Sequence, residues 1–182
     1  MELTFEPWPK IARLNRDCVI TEKIDGTNAA VIVTDDGRVG AQSRTRLITP
    51  DADNFGFARW VHDNAEALAA TLGPGRHFGE WWGQGIQRKY GLDHKRFSLF
   101  NVNRYGALDL SALPGVSLVP TLYSGPFSTA VVDATVGWLR MKGSRAAPGF
   151  MKPEGVVVFH VAAQTVFKVT CEGDEAPKGV SA

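Results

Sequence analysis

Lys23, Asp25 and Gly26 form a Lys-x-Asp-Gly motif, and Asn28 follows two residues later. The motif lies between two apolar runs and opens a turn-rich Asp-Gly-Thr-Asn segment, a pattern that predicts strand, tight turn, strand. Lys23 is then placed at the end of the first strand, and Asp25 shares its face if the backbone stays extended. A lysine at such a junction can bring its amine beside a nucleotide phosphate.

Five further segments with polar or aromatic residues follow this motif in order. They are Ser-Arg-Thr-Arg at 43–46, Phe-Gly-Glu-Trp-Trp-Gly at 78–83, Arg-Phe-Ser-Leu-Phe-Asn-Val at 96–102, Pro-Glu-Gly-Val-Val-Val at 153–158 and Val-Phe-Lys-Val at 166–169. Each segment is a weak signal alone, but their joint order and spacing are specific.

This order resembles the covalent nucleotidyltransferase superfamily of ATP-dependent ligases and capping enzymes, and most closely the RNA ligase family of the RNA ligase 2 type. The resemblance runs from about Pro9 to Thr170. In that family Lys-x-Asp-Gly is motif I and an Arg-bearing segment follows it. Glu within Gly-Glu is motif III, and a strand aromatic is motif IIIa. Glu-Gly-Val is motif IV and a Lys-bearing strand is motif V. One departure is plain, because motif V usually reads Lys-x-Lys and this chain has Lys168-Val169-Thr170.

The resemblance implies an α+β nucleotidyltransferase domain with two mainly antiparallel sheets flanking a nucleotide cleft. It also implies ATP and Mg²⁺ (or Mn²⁺) as cofactors and a lysyl-AMP intermediate. The expected reaction joins 5′-phosphate to 3′-hydroxyl ends at RNA ends or nicks, with RNA preferred over DNA on the family resemblance alone.

Lys23 is the expected nucleophile. A free lysine is protonated at neutral pH and cannot attack, but desolvation or a neighbouring cation favours release of the lone pair. Lys168 and a bound metal are the candidate neighbours. Attack on the α-phosphate of ATP would form lysyl-AMP and release pyrophosphate, with the protein supplying position and charge neutralisation.

Glu154 is the expected metal-side carboxylate, because Mg²⁺ prefers oxygen ligands and bridging phosphates. Glu80 has bulky apolar neighbours, so its carboxylate needs a partner, and ribose hydroxyls or a structural salt bridge would serve.

Phe97 and Phe100 are three residues apart and face opposite ways in a strand, so at most one stacks on adenine. The motif alignment favours Phe97.

The remaining nucleotide-binding candidates surround motif I. Arg44 carries a planar guanidinium that can hold a phosphate bidentately. Asn28 can orient the reacting phosphate or the RNA end. Glu22, Asp25 and Gly26 complete the predicted nucleotide-binding set through their places in or beside motif I.

Composition is that of an ordinary globular domain, with 182 residues, 44% hydrophobic and 21% charged. No membrane-length apolar run and no signal pattern occurs, so we expect a cytoplasmic protein without a membrane partner.

Cys18 and Cys171 show no metal spacing and are expected to be reduced thiols. The net charge of +1 argues against extensive non-specific nucleic-acid binding but leaves room for a local basic groove.

Apolar periodicity predicts helices over 56–72 and 128–141. Short β-rich runs predict strands at 77–82, 97–102, 116–119, 155–162 and 164–169. We expect one nucleotidyltransferase domain over 1–170, a short tail over 171–182 and no appended C-terminal domain. Substrate binding would then call on a partner chain or on self-association.

Two other functions stay open at this point. The chain could adenylylate a nucleic-acid end or another acceptor without sealing it. It could also be a non-catalytic module that binds nucleotide or RNA ends, which the single lysine in motif V keeps in play.

Overall fold

Ten strands and four helices make up the described part of the chain, residues 3–173 of a computed structural model. In chain order they are β1 (Asp17–Lys23), β2 (Thr27–Val33), β3 (Val39–Ser43), β4 (Leu47–Ile48), α1 (Phe57–Asp63), α2 (Ala65–Leu72), β5 (Gly75–Gly83), β6 (Lys95–Leu99), α3 (Val102–Tyr105), β7 (Val116–Leu118), β8 (Thr121–Pro126), α4 (Thr129–Lys142), β9 (Gly155–His160) and β10 (Thr165–Thr170).

The first sheet has four antiparallel strands in the order β10-β9-β1-β8. Helix α4 covers one face, where Val132, Val136 and Leu139 share a buried cluster with Ile20 and Val158. Strand residues alternate between faces, so Lys23 lies on the opposite face, which we call the cleft face of this sheet.

The second sheet has six strands in the order β4-β3-β2-β5-β6-β7, antiparallel except for the β6–β7 pair. Helices α1 and α2 cover one face through a large cluster that includes Val31, Phe57 and Leu68. The alternate strand residues, including Asn28 and Glu80, form the cleft face of this sheet.

The turn at 24–26 joins the two sheets, since β1 belongs to the first and β2 to the second. A third buried cluster lies at this junction and contains Ile24, Trp82, Tyr90, Val119 and Ala147. Two sheets joined in this way confirm the predicted α+β class with mainly antiparallel sheets.

Several element boundaries differ from the prediction. The helix predicted over 56–72 is two helices, because the chain breaks at Asn64 (φ −113°, ψ 16°), whose side chain donates to the Trp60 carbonyl at 2.8 Å. The strand predicted over 97–102 ends at Leu99, since the Asn101 side chain accepts from the Arg104 amide at 3.0 Å and starts α3. Strand β8 was not predicted, because its Gly and Pro mask the strand signal.

The helix predicted over 128–141 corresponds to α4, capped by the Ser128 hydroxyl, which accepts from the Val131 amide at 3.2 Å. Cys18 and Cys171 are both buried and free. No helix within 3–173 has the length and apolarity to cross a membrane. The predicted tail over 171–182 lies mostly outside the described residues.

Candidate active site

Lys23, at the end of β1, and Glu154, just before β9, form an ion pair. The Lys23 Nζ donates to Glu154 Oε2 at 2.6 Å, although 131 positions separate the two residues in sequence. Antiparallel pairing of β1 with β9 places Lys23 opposite Gly155, and so brings the carboxylate just before β9 beside the amine. The Lys23 side chain remains 25% exposed whereas Glu154 is 7% exposed, so the amine is open to a ligand and the carboxylate is largely enclosed.

Glu80 supports the turn from the other sheet. Its Oε1 accepts from the Gly26 amide and its Oε2 accepts from Asn28 Nδ2, each at 3.0 Å. Burial raises the pKa of Glu80 to about 7, opposed by the positive charge of Lys23 and by the Gly26 hydrogen bond. The negative charge of Glu154 raises the pKa of Glu80, whereas the positive charge of Lys23 lowers it. Both carboxylates and the amine therefore belong to one electrostatic cluster.

Gly26 is required by close packing. A Cβ atom there would lie 2.4 Å from the Trp81 carbonyl oxygen and 2.7 Å from Trp82 Cβ. Any side chain would therefore push the turn away from β5 and from the Glu80 carboxylate, which explains the glycine of the Lys-x-Asp-Gly motif.

Asp25 is held by two residues that the sequence analysis did not single out. Its Oδ2 accepts from Arg88 Nε at 2.9 Å, and its amide donates to the Tyr90 hydroxyl at 2.8 Å. Both partners lie in the loop between β5 and β6. Their spacing carries no motif that this single sequence could have revealed.

Lys168 lies on the same sheet face as Lys23. In the β1-β9-β10 register it stands level with Val157 and Thr21, and Thr21 shares a face with Lys23 two residues on. Lys168 is exposed, and Thr170, at the position of the second motif V lysine, stands level with Lys23 across Gly155.

Phe97 does not line the cleft, contrary to the expectation from the motif alignment. Its ring is fully buried under the helices of the second sheet, with ring centroids 5.1 Å from Phe57 and 5.9 Å from Trp60. Phe100 has the opposite orientation and is 40% exposed, as is expected for a residue three positions away. One ring of the pair is therefore buried and the other exposed, as predicted, but the buried ring is Phe97.

Phe100 lines a cleft of about 260 Å³ on the second sheet, together with Phe78, Asn28 and Arg44. Phe78 is 51% exposed and its carbonyl accepts from the Phe100 amide at 3.0 Å, so Phe100, one residue beyond β6, stays paired with β5. Arg44 is exposed in the β3–β4 connection. The cleft thus combines two aromatic side chains with one guanidinium.

Glu22 is buried and bonded to its own chain on the side of β1 away from the cleft face, which corrects its predicted role in nucleotide binding. The side chain is 1% exposed, and its oxygens accept from the Ser144 hydroxyl at 2.5 Å, the Arg145 amide at 2.7 Å and the Ala146 amide at 2.9 Å. Burial raises the pKa of Glu22, and these three hydrogen bonds oppose the rise. Glu22 instead fixes the 144–146 segment against β1.

The site offers oxygen donors suited to a hard divalent cation, namely the carboxylates of Glu154 and Glu80. Within residues 3–173, no group of three His, Cys, Asp or Glu side chains is arranged to bind a metal by itself. That donor set fits Mg²⁺ or Mn²⁺, because such ions commonly bind through one or two carboxylates and complete their coordination with phosphate oxygens and water.

The two sheets, with a cleft and a lysine at their junction, define the nucleotidyltransferase-type fold of the ligases. Within that class the chain belongs to the RNA ligase family, whose family model matches residues 16–170. A comparison with curated proteins gives no match.

Solved structures of Naegleria gruberi RNA ligase variants have a similar fold. A variant with AMP and Mn gives a TM-score of 0.62 at 20% identity, covering 86% of this chain and 50% of the ligase. Another with ATP and Mn gives 0.64 at 20% identity, covering 87% and 51%. The chain thus spans about half the length of the ligases that it matches.

Proposed function

We propose that this chain is the adenylylating part of an ATP-dependent RNA ligase, which acts through a lysyl-AMP intermediate and joins 5′-phosphate to 3′-hydroxyl ends. The observation that carries the proposal is the Lys23 amine, partly exposed and 2.6 Å from the enclosed carboxylate of Glu154. The exposed part of the amine is open to a ligand, and a bound cation or Lys168 would favour its unprotonated, nucleophilic form.

The cofactors follow from the relatives and from the donor chemistry. The Naegleria gruberi ligase variants were solved with ATP or AMP and Mn. A divalent cation held by Glu154 would offset phosphate charge and weaken the hold of Glu154 on the amine. ATP with Mg²⁺ or Mn²⁺ is therefore the proposed cofactor pair.

In the proposed step the Lys23 amine loses its proton, and Glu154 Oε2 is placed to accept it. The Nζ lone pair forms a bond to the α-phosphorus of ATP, and the bond from that phosphorus to the β-phosphate bridging oxygen breaks. Pyrophosphate leaves with the bonding electrons. Lys168, on the same sheet face, supplies positive charge to the phosphates.

The nucleotide itself is proposed to lie along the cleft of the second sheet. Phe100 offers an exposed ring for the purine, in place of the buried Phe97. Arg44 and Asn28 line the same cleft and are suited to phosphate or to an RNA end. Glu80 is proposed to bind ribose hydroxyls while it keeps its bonds to the turn.

Adenylylation of an end without sealing remains a second candidate. The third candidate is a non-catalytic module that binds nucleotide or RNA ends. It is favoured by the single lysine of motif V, since Thr170, level with Lys23 across Gly155, carries no positive charge. RNA ends or nicks are the proposed substrates, bound with the help of a partner chain or by self-association, and the cytoplasm is the proposed location.

The test is incubation with α-labelled ATP and Mg²⁺, followed by detection of label on the denatured protein. Lys23→Ala and Lys23→Arg should both abolish labelling, the second because a guanidinium stays protonated. Lys168→Ala should slow labelling on the order of 10²-fold, as loss of a transition-state contact does. Lys142→Ala, an exposed lysine at the end of α4, is the matched control and should label normally.

Three outcomes separate the candidates. Label on Lys23 with joined RNA supports the ligase. Label without joining, even with a 5′-phosphate nick offered across a salt series, supports end adenylylation. A folded wild-type chain that takes no label supports the binding module, and AMP mapped to another lysine would refute the assignment of Lys23.

A further inference from the structure

The loop between β5 and β6 is held in an unusual backbone conformation. Three residues with side chains have positive φ within four positions, Gln87 at 43°, Lys89 at 60° and Tyr90 at 52°. Each such residue costs on the order of 1–3 kcal/mol and persists only where its surroundings fix it. The contacts of this loop show what fixes it.

Tyr90 packs into the junction between the sheets. Its side chain is 2% exposed, with its ring 5.0 Å from the Trp82 ring in an edge-on arrangement and 4.7 Å from Phe150. The phenol hydroxyl accepts from the Asp25 amide at 2.8 Å. A buried ring therefore delivers one acceptor to the backbone of the turn that follows Lys23.

Arg88 connects the two segments that carry the reacting pair. Its Nε donates to Asp25 Oδ2 at 2.9 Å, and its Nη1 donates to the Lys152 carbonyl at 3.1 Å. Asp25 is two residues after Lys23, and Lys152 is two residues before Glu154. One guanidinium thus spans from the nucleophile turn to the segment leading into β9.

We propose that Arg88 and Tyr90 are positioning residues that set the distance between Lys23 and Glu154. The proposal rests on the proposed function for its catalytic consequence. A planar guanidinium holds its two acceptors in a fixed relative geometry, which an ammonium on a flexible stem does not impose. Neither residue touches the reacting atoms, and both act through the backbone around them.

The first measurement needs no activity. Acetylation of Lys23 by acetic anhydride, followed by peptide mass spectrometry without ATP, reports how well the Glu154 pair shields the amine. Arg88→Ala and Tyr90→Phe should raise the Lys23 acetylation rate several-fold. Gln84→Ala, an exposed residue in the same loop, is the control and should leave it unchanged.

The second measurement is the single-turnover rate of lysyl-AMP formation at varied ATP. Tyr90→Phe should lower the maximum rate about tenfold, the size expected from one lost hydrogen bond of about 1.4 kcal/mol, with unchanged half-saturation by ATP. Arg88→Ala should lower it further, and Arg88→Lys should restore only part of the rate, because a flexible ammonium does not fix the geometry of the two acceptors. Thermal melts of each variant check the fold, and Tyr90→Phe keeps the packed ring.

Lys23 acetylation unchanged in both variants would overturn the proposal, whether or not the chain adenylylates itself. Full rescue by Arg88→Lys would also overturn it, since charge alone would then suffice. A rise in half-saturation by ATP at an unchanged maximum rate would assign the loop to nucleotide binding instead. Absence of label on a wild-type chain would refute the proposed function while leaving the acetylation result to decide this inference.

Discussion

Glu80 is expected to make the stability of this protein depend on pH, in the direction opposite to most carboxylates. Its side chain is 7% exposed, and burial raises its pKa from an ordinary value of 4.5 to about 7. Between those two values the folded state keeps a proton that the unfolded state releases. Stability is therefore greatest below about pH 4.5 for this group, and it is lost as pH rises towards 7.

The magnitude follows from the size of the shift. One pKa unit corresponds to about 1.4 kcal/mol, so the Glu80 contribution amounts to about 3 kcal/mol across the whole window. Glu80→Gln removes this titration and keeps the shape of the side chain. The amide oxygen still accepts from the Gly26 amide, and Asn28 must turn its own amide to accept from the new donor.

The assay is urea denaturation of both proteins from pH 4 to pH 8. Glu22, whose pKa is raised, and His77, whose pKa burial lowers, titrate in both proteins and cancel in the difference. We expect Glu80→Gln to gain about 3 kcal/mol in unfolding free energy relative to wild type between the two ends of the range. If the unfolding free energies of the two proteins changed in parallel with pH, Glu80 would have no raised pKa, and the reasoning from its burial would be refuted.

Three other substitutions test the site. Phe100→Ala should raise the ATP concentration for half-saturation about tenfold with little effect on stability, as expected for a lost stacking contact of about 1–3 kcal/mol. Phe97→Ala should lower the unfolding free energy by about 3–5 kcal/mol, as loss of a core aromatic does. The reverse pattern would assign adenine stacking to Phe97. Glu22→Ala should lower the unfolding free energy by about 3 kcal/mol or more in urea, because three donors lose their acceptor and each costs about 1–3 kcal/mol. A near-neutral Glu22→Ala would contradict the anchoring role of that carboxylate.

The sequence was sufficient for the class of fold and for the strand–turn–strand segment around Lys23. Apolar runs on either side of Asp-Gly-Thr-Asn predicted β1 and β2, and helical spacing of apolar residues predicted α4, because local patterns determine these elements. The ordered motifs indicated the RNA ligase family, which the family model over residues 16–170 confirms.

The sequence could not decide which of two aromatic side chains, Phe97 or Phe100, faces the core and which faces the cleft. Phe97 and Phe100 differ only in strand register, and a shift of one residue exchanges core and cleft. The start of α3 at Asn101 also escaped prediction, because a side-chain cap three residues from a strand leaves no periodic signal.

The pattern Lys-x-Asp-Gly by itself determined that an amine stands at a strand end beside a tight turn. Only the tertiary structure decided what that amine meets, since pairing of β1 with β9 brings Glu154 across 131 residues to Lys23. It also decided that Arg88 and Tyr90 hold the turn and that Glu22 turns away from the cleft. The physical reason is that local backbone preferences act over a few residues, whereas the charges around Lys23 are assembled by long-range strand pairing and burial.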